Sequence, residues 1–313
     1  MVYQILLLAL GFFFLYKSVH LFIDGSVSLA QKLGISTAII GITVIAIGTS
    51  LPELFVAGFS SYINYPDLGI GNIIGANITT LLLIFGICAV ISPIAIQKDT
   101  LKKQIPFGFF AIFLLFILAN NFNLKSPFLS RLDGFILLIY FLIFIYYSFG
   151  SATKNPKNLF FKPIHIHHTI FYIILGIIGL LFGSSLVIYS SLNIATFLGF
   201  SSATIGLTIV AIGTTLPELF TSIIATAKKN ISLAVGNIFG SVVINISLIM
   251  GISSIIKPQP FNIGLNIALF FNLVGFSLVL YFIINKNKWK ISRNEGLLLI
   301  TFYIFYLTIV TII

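Results

Sequence analysis

The sequence predicts an all-α integral membrane protein of ten transmembrane helices, arranged as two inverted five-helix repeats. Two observations predict the membrane class. Of the 313 residues, 58% are hydrophobic and only 8% are charged, and the mean hydropathy is +1.14, values that lie outside the range of soluble globular domains. A third observation, a ten-residue motif that returns 165 residues later, predicts the repeats.

Apolar runs of about 20 residues recur along the whole chain, each long enough to cross a hydrocarbon core of roughly 30 Å as a helix. The first run has no basic region ahead of it and is longer than a secretory hydrophobic core, so we expect it to be retained. We place the ten spans at 2–24, 35–60, 69–95, 104–121, 131–149, 169–191, 202–226, 232–256, 262–284 and 295–312.

The basic residues are distributed unevenly between the two sides of these spans. Of 17 lysines and arginines, Lys17 lies within the first span, 13 lie on the odd-numbered connections and 3 on the even-numbered ones. The positive-inside rule therefore places the odd-numbered connections in the cytoplasm and both termini outside the cell. The net charge of +10 marks the cytoplasmic face of a protein whose partner is the lipid bilayer, with no nucleic acid expected.

The chain between the two halves is short, polar and basic. Residues 150–168 leave no room for a soluble domain, so we divide the chain into a first repeat at 1–149, a cytoplasmic linker at 150–168 and a second repeat at 169–313. We interpret His165, His167 and His168 in this linker as an interfacial anchor rather than a metal site, since no carboxylate or cysteine lies nearby. The single cysteine, Cys88, excludes an internal disulfide and argues against a structural zinc cluster.

One shift of 165 residues aligns 36–93 with 201–258 without a gap. Shared hydrophobic composition would not keep glycine, proline, asparagine and glutamate in register, so the alignment indicates a duplication. Because the shift spans five helices, an odd number, the second copy must insert upside down. Inverted repeats with interrupted helices at matching positions are typical of secondary transporters. The matched pairs include Gly41 with Gly206, Glu53 with Glu218, Asn72 with Asn237, Gly75 with Gly240 and Pro93 with Pro258.

Each copy carries a proline that must interrupt a membrane-spanning helix. In AIGTSLPELF, residues 46–55, Pro52 cannot donate a hydrogen bond to the Gly48 carbonyl, so the helix opens just before it. Freed carbonyls are costly in lipid unless they line a polar cavity or meet a ligand. The same break carries hydroxyls, from Thr49 and Ser50 in the first copy and from Thr214 and Thr215 in the second copy, AIGTTLPELF.

A glutamate follows each proline at mid-span depth, Glu53 and Glu218. An ionisable group at the bilayer centre costs about 2.5–3.5 kcal/mol, which makes it a candidate functional residue. Carboxylate, hydroxyl and carbonyl oxygens together suit Ca²⁺ and also Na⁺, and the absence of cysteine and histidine from both motifs argues against zinc or copper. The alternative is a structural ion pair, for which Lys17 is the basic residue nearest in depth.

Polar side chains continue on the helix after each motif. Asn72, Ala76 and Thr80, and likewise Asn237, Ser241 and Asn245, recur every four residues and so share one helix face. The G-x-x-x-G spacing beside them allows another helix to approach closely, which predicts four helices around one site. In the first span, Lys17, His20, Asp24 and Ser28 also share a face, which we interpret as a snorkelling, partly ion-paired stripe near the cytoplasmic surface.

The paired motifs G-T-S-L-P-E and G-T-T-L-P-E, each followed by G-N-x-x-G, resemble the two alpha repeats of the sodium/calcium exchanger family, in the cation/calcium antiporter superfamily. The ten-span plan is similar to that of its compact prokaryotic members over essentially the whole chain. The resemblance implies an antiporter in a prokaryotic plasma membrane that exchanges Ca²⁺ for Na⁺ by alternating access, functional as a monomer, with no cofactor beyond the transported ions.

The resemblance also implies a set of ion ligands. Glu53 and Glu218 would coordinate Ca²⁺ and contribute to Na⁺ sites, with hydroxyls and carbonyls completing the shell. The family usually has a serine and then an asparagine or aspartate on the following helices, whereas this chain has Ala76 without a side-chain oxygen and no acid at Thr80 or Asn245. The further ligands implied are Thr49, Ser50, Thr214, Thr215 and Ser241, with the backbone carbonyls of Ala46 and Ala211.

Other functions remain open at this point. Exchange coupled to H⁺, or of another divalent cation, could use the same fold with one glutamate carrying the proton. A cation channel could also use a carboxylate pair, although channels usually need a ring of subunits around a continuous pore. An enzyme is not expected, because no nucleophile-base pair and no histidine cluster occurs at mid-depth.

Overall fold

The structure is a computed structural model that describes residues 2–62, 66–96, 105–120, 127–150, 166–197, 208, 210–261, 264–285 and 289–312. Most of the predicted linker and the start of the second motif, including His165 and Gly206, lie outside these residues. The described chain is helical almost throughout, as its composition predicts.

Among the described residues, the first half contains eight α-helices, two π-helical segments and two short strands. In chain order they are α1 (Val2–Leu33), α2 (Thr37–Ile40), π1 (Gly41–Ile45), α3 (Ala46–Thr49), α4 (Leu51–Tyr62), α5 (Pro66–Ile78), π2 (Thr79–Ile84), α6 (Phe85–Ile91), β1 (Ile94–Ala95), α7 (Ile105–Asn120), β2 (Phe128–Leu129) and α8 (Arg131–Gly150).

The second half repeats much of this order. It contains α9 (Ile166–Phe197), α10 (Ala211–Thr214), α11 (Leu216–Ala227), α12 (Ile231–Ile244), π3 (Asn245–Ile249), α13 (Met250–Ile256), β3 (Gln259–Pro260), α14 (Leu265–Ile284), β4 (Lys290–Ile291) and α15 (Arg293–Ile312).

Within the described residues, seven helices are long and apolar enough to cross a membrane, and a bent pair, Ala38–Thr49 with Leu51–Tyr62, makes up to eight. Two shorter apolar helices, α7 and α11, lie where the fourth and seventh spans are predicted. The all-α membrane class is therefore confirmed.

The first helix is longer than predicted, because α1 continues to Leu33 rather than ending at residue 24. Polar residues at the end of the predicted span and in the extension have partners on other segments of the chain. Asp24 forms an ion pair with Lys228 at 3.0 Å, and Ser28 shares a hydrogen bond of 2.9 Å with Thr169 on α9. A hydropathy pattern ends the span at Asp24, whereas in the structure the helix continues past these contacts.

The helix breaks just before Pro52, as the sequence predicts. The segments before and after Ser50 bend by 43°, and Ser50 has φ −85° and ψ 9°. Its counterpart before Pro217, Thr215, has φ −80° and ψ 3°. The two breaks thus have the same local backbone, because the same residue types surround both prolines.

The centre of the molecule is formed by the helices that follow the broken pairs. In the most apolar 18-residue segment of Gly69–Ile91 and of Ile231–Ile256, 83% of the residues are buried. The corresponding share is 28% for α1, α8 and α15. Glycine permits this packing: a Cβ on Gly236 would lie 2.5 Å from the Ala38 carbonyl oxygen, and one on Gly41 would lie 2.7 Å from the Leu233 carbonyl oxygen. The helix backbones therefore touch where the site is built.

Several contacts between a segment of the first half and a segment of the second are repeated by the two corresponding segments. Strand β1 pairs with β4, and β3, the counterpart of β1, pairs with β2. Helix α15 packs on α6 through Gly296 and Gly86, and α8 packs on α13 through Gly134 and Gly251.

Helices α8 and α15 also begin alike, with a serine whose hydroxyl and backbone amide both hydrogen-bond an acid three residues later. Ser130 caps α8 with Asp133, and Ser292 caps α15 with Glu295. These are the capping boxes expected at helix starts. The correspondence between the halves therefore extends beyond the two aligned motifs to their last helices.

Candidate functional site

The two broken helices meet the helices of the opposite half at the centre of the molecule. The segment α3, which ends at Thr49, packs on α12, and its counterpart α10, which ends at Thr214, packs on α5. The Pro-Glu helix α11 also packs on α12, as α4 does on α5. The polar residues of both motifs are thereby brought into one buried region, far apart though they are in sequence.

Two reciprocal hydrogen bonds cross between the halves. Thr49 Oγ1 donates to Asn237 Oδ1 at 3.2 Å, and Thr214 Oγ1 donates to Asn72 Oδ1 at 3.0 Å. In this geometry each asparagine uses its side-chain oxygen to accept a threonine proton, which leaves the threonine lone pairs free. Each asparagine therefore accepts a hydrogen bond from the broken-helix threonine of the other half.

Both glutamates are fully buried, at 0% exposure. Ser50 Oγ donates to Glu218 Oε1 at 2.8 Å, across the two halves, and Ser241 Oγ lies 3.4 Å from the same oxygen. The other three carboxylate oxygens, both of Glu53 and Oε2 of Glu218, have no hydrogen-bond partner among the described residues. The two carboxylates lie near enough for their charges to act on each other. Buried carboxylates normally carry hydrogen bonds or a counter-charge, so this arrangement is one that a cation would complete.

The glutamates have different surroundings because the two copies differ at the neighbouring positions. The counterpart of Ser241 is Ala76, which has no hydroxyl for Glu53. The counterpart of Ser50 is Thr215, whose hydroxyl points back to the Ala211 and Ile212 carbonyls at 3.1 and 3.0 Å. Glu53 therefore has no equivalent of the contacts that Ser50 and Ser241 make with Glu218.

The remaining predicted ligands also lie in this buried region. The Ala46 carbonyl accepts from the Ser50 amide at 3.1 Å and lies 3.4 Å from Thr49 Oγ1, and the Ala211 carbonyl accepts from the Thr215 amide at 3.2 Å. Thr80 and Asn245 are both fully buried, each at the start of a π-helical turn. Within the described residues, neither Thr80 Oγ1 nor Asn245 Oδ1 has a hydrogen-bond partner.

Two site residues were missed by the sequence patterns. Ser222 accepts a hydrogen bond from Asn237 Nδ2 at 3.0 Å, and Asn77 accepts one from Asn245 Nδ2 at 3.0 Å. Their counterparts are Ala57 and Val242, so neither recurs in the repeat. The signal that could have found them is a polar residue in one copy opposite an apolar one in the other.

The polar stripe of the first helix does not reach the site. Lys17 is exposed, with Nζ 5.9 Å from the centre of the Phe13 ring, and His20 bonds the carbonyl of Tyr16. Asp24 pairs with Lys228. The structural ion pair between Lys17 and a buried glutamate is therefore absent from the part of the chain that the structure describes, while the partly ion-paired stripe is present.

Comparison with known proteins identifies the chain's relatives. The family model described as sodium/calcium exchanger protein matches residues 3–150 and 168–312. The sodium/calcium exchanger MaX1 of Methanosarcina acetivorans is 30% identical over 344 residues, which cover 97% of each chain. An uncharacterized membrane protein of Methanocaldococcus jannaschii is 35% identical over 299 residues and 94% of each chain.

A solved structure agrees over the same extent. The sodium-calcium exchanger NCX_Mj, soaked with 2.5 mM Na⁺ and 0.1 mM Ca²⁺, matches with a TM-score of 0.83 and 31% identity over 98% of each chain. Both the family match and the structural match extend over both halves. The chain belongs to the sodium/calcium exchanger protein family, and it is a membrane transport protein rather than an enzyme.

Proposed function

We propose that this protein is a secondary antiporter that exchanges Ca²⁺ for Na⁺ at one central site shared by Glu53 and Glu218. The observation that carries the proposal is the pair of buried carboxylates, with three of their four oxygens free of hydrogen bonds among the described residues. The relatives named as sodium/calcium exchangers support the same two cargo ions. The ions are transported, and we propose no resident cofactor.

The oxygen set around the glutamates suits a hard cation. Calcium takes about 6–8 oxygen ligands in flexible geometry, and the two carboxylates can supply up to four of them. The rest would come from hydroxyls and carbonyls of both halves. We propose as these ligands Thr49, Ser50, Thr80, Thr214, Thr215, Ser241 and Asn245, with the carbonyls of Ala46 and Ala211, while Asn72 and Asn237 orient the threonines.

Charge explains why exchange would be obligatory. Two bare carboxylates in a low-dielectric site would each cost several kcal/mol. One Ca²⁺ or two Na⁺ would cancel this charge, so loaded forms could rearrange while the bare form would resist crossing. The coupling therefore follows from the electrostatics of the site.

Alternating access would arise from the relation between the halves. We propose ten spans in two inverted five-helix repeats, 1–149 and 169–313, joined by the linker 150–168. The reciprocal strand pairs, capped helices and Thr-Asn hydrogen bonds support this arrangement. A site between two inverted halves can open to either side of the membrane, because each half can adopt the conformation that the other half had before.

We further propose that the odd-numbered connections are cytoplasmic and both termini extracellular, in a prokaryotic plasma membrane, with the monomer as the functional unit. The paired strands support the assignment of sides, because β1 and β4 flank connections three and nine, and β2 and β3 flank connections four and eight. The pair of Asp24 with Lys228 likewise joins groups assigned to the cytoplasmic side.

Ion-substitution flux in proteoliposomes tests the proposal. Vesicles loaded with Ca²⁺ should release it when Na⁺ is added outside and retain it in K⁺ or choline. Glu53→Gln and Glu218→Gln should each abolish this flux, because each removes one of the two charges that bind the divalent ion. Glu295→Gln, at the capping box of α15, is the matched control and should retain flux. Normal Ca²⁺ flux in either central variant would contradict a shared site.

Coupling to H⁺ is a second candidate, favoured by one observation. Ser241 Oγ lies 3.4 Å from a Glu218 oxygen, and the matching position in the first copy is Ala76, so the first copy offers one oxygen fewer for Na⁺. A carboxylate that receives fewer hydroxyl contacts than its counterpart is also the better candidate for carrying a proton. Ca²⁺ flux driven by a pH gradient in the absence of Na⁺ would support this candidate over Na⁺ coupling.

A further inference from the structure

Asn77 is a fully buried polar residue whose polar character is not repeated in the second copy. It lies on α5, directly after Ala76, and its counterpart in the second copy is Val242. We infer that Asn77 is a positioning residue that fixes the side-chain amide of Asn245 with its oxygen toward the ion site. The inference rests on the proposed function, since it assigns how one proposed ligand is oriented.

The orientation follows from a chain of hydrogen bonds that begins at a backbone carbonyl. Asn77 Nδ2 lies 3.4 Å from the carbonyl oxygen of Val242, and a carbonyl can only accept. The NH₂ group of Asn77 must therefore face Val242, which leaves its Oδ1 on the other side. Asn245 Nδ2 lies 3.0 Å from that Oδ1, so the NH₂ group of Asn245 is held as a donor. What remains of the Asn245 amide is Oδ1, which has no partner among the described residues.

This restraint matters because of what lies near Asn245. The segment that it begins, π3, packs on α4, the helix of Glu53. A freely rotating amide that came within reach of a buried carboxylate would turn its NH₂ group toward it, since hydrogen bonds to charged acceptors are about twice as strong as neutral ones. Such a bond would occupy the carboxylate and present hydrogens where a cation needs oxygens. Asn77 removes this competing state by engaging the NH₂ group itself.

An amide needs this restraint and an acid does not. Both outer atoms of an aspartate are oxygens, so either orientation of the group can bind a cation, whereas asparagine has one oxygen and one NH₂. The first half needs no equivalent device, because Thr80, the counterpart of Asn245, carries a rotatable hydroxyl. This explains why a polar residue occurs at position 77 and an apolar one at position 242.

The test is a cycle of variants at positions 77 and 245. Asn77→Leu keeps the branched shape of the side chain and removes the acceptor, and we expect it to raise the KM for Ca²⁺ about tenfold, the effect of losing one good polar contact. The maximal rate should change much less. In an Asn245→Asp background, Asn77→Leu should change the KM for Ca²⁺ less than about twofold, because neither orientation of the acid hides its oxygens. Equal changes in the two backgrounds, or no change in either, would overturn the inference.

A binding measurement separates this result from failure of the transport proposal and from misfolding. Ca²⁺-dependent thermal stabilisation of the purified protein reports ion binding without transport. We expect the Ca²⁺ concentration for half-maximal stabilisation to rise in Asn77→Leu alone and not in the double variant. If Asn77→Leu does not fold, Asn77→Ala carries the same expectation. If the wild type binds Ca²⁺ without Na⁺-driven flux, the exchange proposal fails while the positioning role can still be judged.

Discussion

The two central glutamates are alike in sequence but differently held. Glu218 has hydrogen bonds from Ser50 and Ser241, whereas both oxygens of Glu53 lack a partner among the residues described. A held carboxylate is oriented before an ion arrives, and a free one can move to meet it. We therefore expect Glu218 to set the position of the ion and Glu53 to close on it.

The hydroxyls at positions 50 and 215 provide a residue-scale test of this difference. Ser50→Ala should raise the KM for Ca²⁺ in Na⁺-driven flux about tenfold or more, since a hydrogen bond to a charged group contributes about 1.5–3 kcal/mol. Thr215→Ala, at the matching position, should have a smaller effect because its hydroxyl bonds carbonyls of its own helix. Equal effects would mean that the two hydroxyls act alike as ligands.

At the scale of elements, the site depends on helices whose backbones approach each other at glycine. Gly41 on π1 and Gly236 on α12 leave no room for a methyl group, because the added Cβ atoms would meet carbonyl oxygens within 2.7 Å. Backbone cannot move aside as a flexible side chain can. The broken helix of the first motif is thus held against the second motif's helix by contacts that only glycine permits.

This packing predicts opposite outcomes for two alanine substitutions. Gly236→Ala should lower the thermal unfolding temperature by several degrees and reduce flux, since overpacking costs about 1–3 kcal/mol. Gly58→Ala is the matched control, because a Cβ there meets nothing within 4 Å and alanine favours a helix by about 0.5–1 kcal/mol over glycine. Similar unfolding temperatures for the two variants would show that the contact at Gly236 relaxes without cost.

At the scale of the whole molecule, each of several contacts between the halves has a counterpart made by the corresponding elements. Strand β1 pairs with β4 as β3 pairs with β2, and α6 packs on α15 as α13 packs on α8. Each half therefore completes the other, and neither contains the site by itself. This dependence favours a molecule that works as one unit.

Labelling of introduced cysteines tests the proposed orientation. The native chain has one cysteine, Cys88, which is buried, so background labelling should be low. In intact cells a membrane-impermeant maleimide should label Lys257→Cys, on connection eight, and should label Lys229→Cys, on connection seven, only after permeabilisation. Both lysines are exposed. The reverse pattern would place the termini in the cytoplasm.

The sequence by itself determined the membrane class, the duplication and the two glutamates, because hydropathy, register and a charge after proline are properties of local sequence. It also located the helix breaks at Ser50 and Thr215. The contacts of Asp24 with Lys228 and of Ser28 with Thr169 along the extended α1 were not predictable, since they join segments far apart in sequence. Only the tertiary structure decided which hydroxyl serves which glutamate and that Asn77 holds Asn245. A hydrogen bond is set by distance and direction between helices, and the repeat pattern records neither.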